Sequence, residues 1–397
     1  MLDVDALLRP WLDRLEADTG ELPLYDAHTH IGANDPDGFK QRPDELMGAL
    51  ERAGARGVTF PMHEPDGYPE ANDAAIQAAR DSGGRVVAFC RIDPRAGDPA
   101  AEATRCRDAG ARGVKFHPRA ERFALSEPGV REVVAVAHER RVPVLIHAGR
   151  GIPALGQDTV RLAEEFPGAR MILAHSAISD LAWLWKVLPS HPNVFVDTAW
   201  WNPADLIALF TLVGPGHVVW ASDSPYGSPV ASAVIALRCA AQAGLDGDQL
   251  RLVAGGQLER LLAGSEPADG GPPTGRVAPL HPLCERVVTH LIAAIGRAFG
   301  GVDPDEPLAI ARLACAVGED DPHRAHFSSV LRLLDLFQEH LAPPEDGQPR
   351  PVAARFVVAA LTVARTPDVP VPELADAPPP TRAEAERGDP DEVAPAT

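Results

Sequence analysis

Four histidines and one aspartate close short apolar runs of this chain, and together they have the make-up of a divalent-metal site. His28 and His30 end LYDAHTH, His147 ends PVLIH, His175 follows RMILA, and Asp223 lies in Ser222-Asp223-Ser224-Pro225 after HVVWA. Residues two apart in a strand point to the same side, so His28 and His30 face one way. Nitrogen and oxygen donors without thiolate suit zinc, and also iron, manganese or cobalt. A single histidine at a strand end is more often a hydrogen-bonded structural residue, and a His-x-His pair alone is a weak signal. The joint pattern carries the inference. A divalent cation held by such residues makes a water nucleophilic at neutral pH, and Asp223 or His175 is placed to take the water's proton.

The elements that must position these residues recur along the chain. Apolar or β-branched runs begin near Leu24, Gly57, Arg85, Gly113, Pro143, Arg170, Asn193 and His217, with helical periodicity between them, as in Asp44 to Ala53 and Val130 to Glu139. Strands apolar on both faces and alternating with helices imply a parallel sheet. Eight such units over residues 24–264 predict an α/β fold, a (β/α)8 TIM barrel. A doubly wound open sheet is the competing architecture, with fewer strands. In a barrel the C-terminal ends of the strands meet over one site, which is where the four histidines and Asp223 fall.

The same rule picks out the rest of the mouth. Lys115 and His117 in GVKFHP share strand parity and are expected to face inward. Lys115 reads as a substrate-anion contact or an ion-pair partner, and His117 as a substrate contact or a strand-end residue. His63 and Glu64 follow the second strand, Arg91 the third, Arg119 the fourth, Arg150 the fifth, and Trp200 and Trp201 the seventh. An arginine there can clamp a carboxylate through two hydrogen bonds, which would make the substrate anionic. The plainer reading of each arginine is an exposed loop charge, and of the tryptophans, core packing. Gly255-Gly256 and Gly270-Gly271 lack the following lysine of a phosphate loop, and Ser222 to Ser224 lacks the flanking glycines of a nucleophile elbow.

The phrases YDAHTH, GVKFHP, VLIHAG, ILAHSA, NVFVDTAWW and WASDSPYG resemble the amidohydrolase superfamily, and within it the amidohydrolase-related (amidohydrolase 2) branch. The likeness spans residues 24–228. It implies a metal-dependent TIM-barrel enzyme with His28, His30, His147 and Asp223 as metal ligands and His175 as the proton-transferring histidine. It also implies one metal ion per chain, zinc first among the candidates. Family members with two metals bridge them with a carboxylated lysine on the fourth strand, the alternative role for Lys115. The branch holds hydrolases and also non-oxidative decarboxylases.

The chain has 397 residues, a formal net charge of −19, and 45% hydrophobic and 23% charged residues, an ordinary globular mixture. The acidic balance argues against nucleic acid or an anionic membrane as main partner. Five scattered cysteines without CxxC spacing fit a reducing compartment. The N-terminal segment 1–23 reads as an amphipathic helix, with Leu7, Leu8, Trp11, Leu12 and Leu15 on one face, and not as a signal peptide. A cytoplasmic location is expected.

Beyond the barrel, residues 265–280 read as a Pro/Gly-rich linker. Residues 281–365 read as a helical domain of about four helices. Cys284, Val287, Val288, Leu291, Ile292 and Ile295 share one face there, as do Phe327, Val330, Leu331, Leu334, Phe337 and Leu341. Residues 366–397, acidic and rich in proline, read as a disordered tail.

Three functions compete at this stage. The leading one is a hydrolase that uses a metal-activated water to cleave a C–N or C–O bond of a small molecule. The others are a metal-dependent decarboxylase and a non-catalytic barrel scaffold. A homo-oligomer stays open.

Overall fold

The structure is a computed structural model, and it describes residues 3–149, 155–341 and 353–373. Eight strands appear in chain order: β1 (Tyr25–Ile31), β2 (Arg56–Pro61), β3 (Val86–Arg91), β4 (Gly113–Phe116), β5 (Pro143–Ile146), β6 (Arg170–Leu173), β7 (Val194–Asp197) and β8 (Val218–Val219). They form one sheet whose neighbours follow the sequence, each pair parallel. The end strands meet through Ala27 N–H to the Trp220 carbonyl at 3.0 Å and His30 N–H to the Ser224 carbonyl at 2.8 Å, so the sheet curls into the expected barrel.

The helices between the strands start where the sequence supplies caps. Asp98 accepts from the Ala101 N–H, Asn202 accepts from the Ala204 N–H, and proline opens most of the outer helices, where its missing N–H costs nothing. Their apolar faces turn to the sheet. Val130, Val133, Val134 and Ala137 of the helix Pro128–Arg140 are all buried. Inside, Val58, Phe60, Phe89, Leu145, Ile172, Phe195 and Val219 fill one core cluster beneath the mouth.

Residues 265–280 contain no helix or strand, yet much of this segment is fastened to the barrel. The Gln257 side chain accepts from Ala268 N–H and donates to its carbonyl, both at 3.0 Å. Gln249 donates to the Gly270 carbonyl and Gly275 N–H to the Thr211 carbonyl, again at 3.0 Å.

Among the described residues the chain divides into two compact units, with Asp5–Val277 in the barrel unit and Asp3, Val4 and the residues from Ala278 in the second. The second holds four helices among the described residues: Pro282–Phe299, Asp305–Ala314, Arg324–Glu339 and Ala354–Arg365. Cys284, Val287, Val288, Leu291 and Ile295 are buried on the first, as its spacing predicts, but Ile292 is 42% exposed. Leu341, expected on the face of the third, lies past its end and is 47% exposed. The apolar stripe is therefore wider than the surface its neighbours cover. Of the tail expected from residue 366, Thr366 and Val369 are buried, and residues 374–397 lie outside the described residues. No helix among the described residues is long and apolar enough to cross a membrane.

Candidate metal centre

β1 carries His28 and His30 to the mouth on one face, and Asp223 meets them just beyond β8. Asp223 takes a left-handed backbone conformation, φ +58°, and its N–H donates to the His28 carbonyl at 2.8 Å. That turn brings its Oδ1 to 3.1 Å from His28 Nε2 and 3.0 Å from His30 Nε2. Among the described residues, His28, His30 and Asp223 are the one group of three donor side chains close enough to share an ion. Lys115 Nζ lies 3.2 Å from His28 Nε2 and is fully buried.

Burial sets the charge states here. It lowers the pKa of His28 and His30 well below the usual imidazole range, with Lys115 adding to the effect. It raises that of Asp223 and lowers that of Lys115, whose ammonium is in part restored by Asp223 and Asp197. Neutral imidazole is the form that ligates a metal.

His147 and His175 stand beside this group. His175 Nδ1 lies 2.9 Å from the Ala199 carbonyl, which can only accept, so a neutral His175 carries its proton there. Its Nε2 is then a lone pair, and it receives the Nδ1–H of His147 at 3.0 Å. The remaining nitrogen, His147 Nε2, is a bare lone pair, buried with no partner among the described residues. A Cβ at Gly149 would fall 2.9 Å from it, so glycine keeps the space in front of this atom open. His30 Nδ1 is likewise buried without a partner. Neutral imidazoles, a carboxylate and a buried orphan lone pair fit a borderline divalent cation. His147 is nonetheless not one of the compact three.

The segment after β6 holds strain. His175, Ser176 and Ala177 have φ of +57°, +57° and +46°, and none is glycine. Left-handed backbone costs about 1–2 kcal/mol per such residue. Strain of this kind persists only where surrounding bonds over-determine it.

Two aspartates that the sequence reading did not single out lie directly behind the histidines. Asp197, at the end of β7, accepts from His28 Nδ1 at 2.8 Å, from His175 N–H at 2.8 Å and from Ala199 N–H at 3.0 Å. Asp26 accepts from His28 N–H at 3.0 Å and Ser222 N–H at 2.9 Å, and burial raises its carboxyl to about 7. The signal that found Asp223, an acid closing an apolar run, was equally present in NVFVDTA.

The other expected mouth residues divide. His117 stacks on His147 with ring centroids 3.9 Å apart, and its Nδ1 accepts from Ala120 N–H. Arg91 is buried and committed, donating to Glu121 at 2.6 Å and to the Pro61 carbonyl at 3.3 Å. His63 is half-buried, and its neighbour Glu64 pairs with Asn34. Trp200 is half-buried and donates to Asp205 at 2.7 Å. Its ring centroid is 6.3 Å from that of Trp201. Arg119 is exposed, and Arg150 lies outside the described residues. A residue not foreseen, Tyr226, sets its ring edge-on to His30 at 5.4 Å and donates its hydroxyl to Asp35. At the opposite end of the barrel an open cleft of about 530 Å³ is lined by Arg170, His191, Asn193 and Glu266, with no comparable convergence of donors among the described residues.

A family model described as amidohydrolase matches residues 25–262, the span of the barrel. No curated protein sequence matches the chain. Among solved structures, 2,6-dihydroxybenzoate decarboxylase from Rhizobium is 14% identical with a TM-score of 0.50, over 61% of this chain and 99% of that one. 5-Carboxyvanillate decarboxylase from Novosphingobium aromaticivorans, complexed with manganese, is 14% identical with a TM-score of 0.48, over 62% and 97%. 4-Oxalomesaconate hydratase from Rhodopseudomonas palustris is 12% identical with a TM-score of 0.46, over 61% and 96%. At 14% identity, what the chain shares with the Rhizobium decarboxylase is the fold.

Proposed function

The chain belongs to the amidohydrolase family, and from that premise we propose that it is a metal-dependent hydrolase cleaving a C–N or C–O bond of a small molecule. The observation that carries this reading is the convergence of His28 Nε2 and His30 Nε2 on one Asp223 oxygen, at 3.1 and 3.0 Å. With His147 they would hold one divalent ion per chain, zinc first among the candidates. Such an ion supplies a Lewis acid and a water whose pKa is brought towards about 7. The remaining work belongs to the side chains. Asp223, its carboxyl raised by burial, takes a proton and passes it to the leaving group. His175, its Nδ1 held by the Ala199 carbonyl, takes a second proton at Nε2 in exchange for the His147 Nδ1–H that Nε2 now accepts. Lys115 acts as an uncharged or weakly charged donor beside His28, or as a carboxylated bridge if two ions bind.

Decarboxylation is the competing chemistry, as in two of the similar folds. It calls for a group that grips a substrate carboxylate. Arg91 is spent on Glu121 and the Pro61 carbonyl, so it does not supply that grip. The test is metal analysis of purified protein followed by turnover of amide, ester, lactone and benzoate panels with carbon dioxide detection. About one transition-metal ion per chain and hydrolysis without gas release support the proposal. Carbon dioxide release from a carboxylic acid would move the enzyme to the lyases, and protein free of transition metal after supplementation would end the metal reading.

A further inference from the structure

We infer that Asp197 is a positioning residue for both histidine systems of the site at once, an inference that rests on the metal-site reading above. Its two carboxylate oxygens face different clients. Oδ2 accepts from His28 Nδ1 at 2.8 Å, across from β7 to β1. Oδ1 accepts from the backbone N–H of His175 at 2.8 Å and of Ala199 at 3.0 Å. The residue is completely buried, so no water substitutes for any of these bonds.

The first contact fixes a tautomer. A carboxylate can only accept, so the His28 proton stays on Nδ1 and the lone pair on Nε2. That lone pair faces Asp223 Oδ1 at 3.1 Å, where a second acceptor would repel it unless a positive charge lay close by. Lys115 Nζ at 3.2 Å, a weakly charged donor, supplies part of that charge, and a divalent ion would supply more. A carboxylate behind a ligating imidazole sets the ring's orientation and raises its basicity.

The second contact fixes a turn. His175, Ser176 and Ala177 are all left-handed, at +57°, +57° and +46°. Oδ1 grips the first residue of that turn. It also grips Ala199, whose carbonyl holds His175 Nδ1 at 2.9 Å. Asp197 thus holds the backbone on which His175 stands and the backbone group that orients its ring. One side chain on β7 sets the direction of Nε2 in both His28 and His175.

Asp197→Asn separates these roles. The amide oxygen can still accept from His175 and Ala199, so the turn keeps its anchor. The amide nitrogen facing His28 Nδ1 is a donor, and His28 must then accept at Nδ1 and carry its proton on Nε2. Two measurements read this. Nitrogen-15 histidine spectra of metal-free protein should show His28 protonated on Nδ1 in the native chain and on Nε2 in the variant. Zinc affinity, by competition with a chromogenic chelator, should fall about 10- to 100-fold, with the melting temperature shifted by no more than about 4 °C. A native His28 protonated on Nε2 would overturn the inference, even if the variant failed to fold. So would a variant with the native tautomer and zinc affinity within about twofold of the native value. If the native chain bound no zinc, the metal-site reading would fall while the tautomer measurement still decided the role of Asp197.

Discussion

The barrel unit and the helical unit spend their residues in opposite ways. At the barrel mouth, Asp26, His28, His30, Lys115, His175 and Asp197 are buried, and four non-glycine residues sit in left-handed backbone. In the helical unit His326 is the one buried Asp, Glu, His, Lys or Arg among the described residues. That unit instead carries the exposed large apolar side chains Ile292, Phe299, Val302, Leu313 and Leu341. Burying charge is costly unless the groups are paired, and strained backbone is costly outright. The barrel accepts both costs where the histidines meet. The helical unit is built for cohesion inside, with apolar surplus on its surface.

The sharpest way to break this comparison is at the mouth. His30→Ala or Asp223→Ala removes a donor from the compact group of three. Each variant should lose bound metal, and activity should fall by about 10³-fold or more, because the Lewis-acid contribution of several kcal/mol goes with the ion. His175→Asn should keep most of the metal and lower turnover by roughly 10²- to 10⁴-fold. Metal content and turnover measured on the same preparations check both. Loss of metal in step with activity in the His175 variant would make His175 a ligand rather than a proton carrier.

How much of this was legible in the sequence follows from what each feature depends on. The strands begin within a residue or two of the expected positions, because parallel strands buried on both faces leave unbroken apolar runs. The His-x-His pair and Asp223 were legible because strand parity and strand ends are local properties. Asp197 was not, although it closes NVFVD in the same way. Its meaning depends on reaching His28, 169 residues earlier in the chain, and sequence alone does not show which side chains face across a barrel. Arg91 shows the converse. Its position at the end of the third strand suggested a substrate clamp or, more plainly, an exposed loop charge, but it is buried and Glu121, 30 residues further on, occupies it. The segment 265–280 has the composition of a free linker, and composition cannot register that Gln257 and Gln249 bind its backbone.

Within the helical unit the comparison predicts a large effect on stability and little on chemistry. Phe327 is fully buried on the helix Arg324–Glu339. Phe327→Ala should cost about 3–5 kcal/mol, the usual loss for an aromatic core residue and the cavity it leaves. Chemical denaturation followed by circular dichroism would show an earlier transition for this unit. Metal content should remain near the native value, since the candidate ligands all belong to the other unit. A parallel loss of metal would mean that the two units fold as one cooperative body.

The smallest expected effect tests the other half of the comparison, the apolar surplus on the helical surface. Phe299, at the end of the helix Pro282–Phe299, is 68% exposed, and Ile292 lies seven residues earlier, two turns back along the same side. Gly296 lies between them, and a Cβ there would meet nothing within 4 Å among the described residues. A side chain that loses little contact with water on folding contributes little when it is removed. Phe299→Ser should therefore change the stability of the isolated native chain by no more than about 0.5 kcal/mol, in contrast to Phe327→Ala on the helix Arg324–Glu339. A difference in denaturation midpoint at unchanged slope is the measurement, made at several protein concentrations. A loss above about 1 kcal/mol at every concentration would show that Phe299 is packed within its own chain. A loss that grows as protein concentration rises would show the face covered by a second copy, and the contrast between the two units would then belong to the free chain alone.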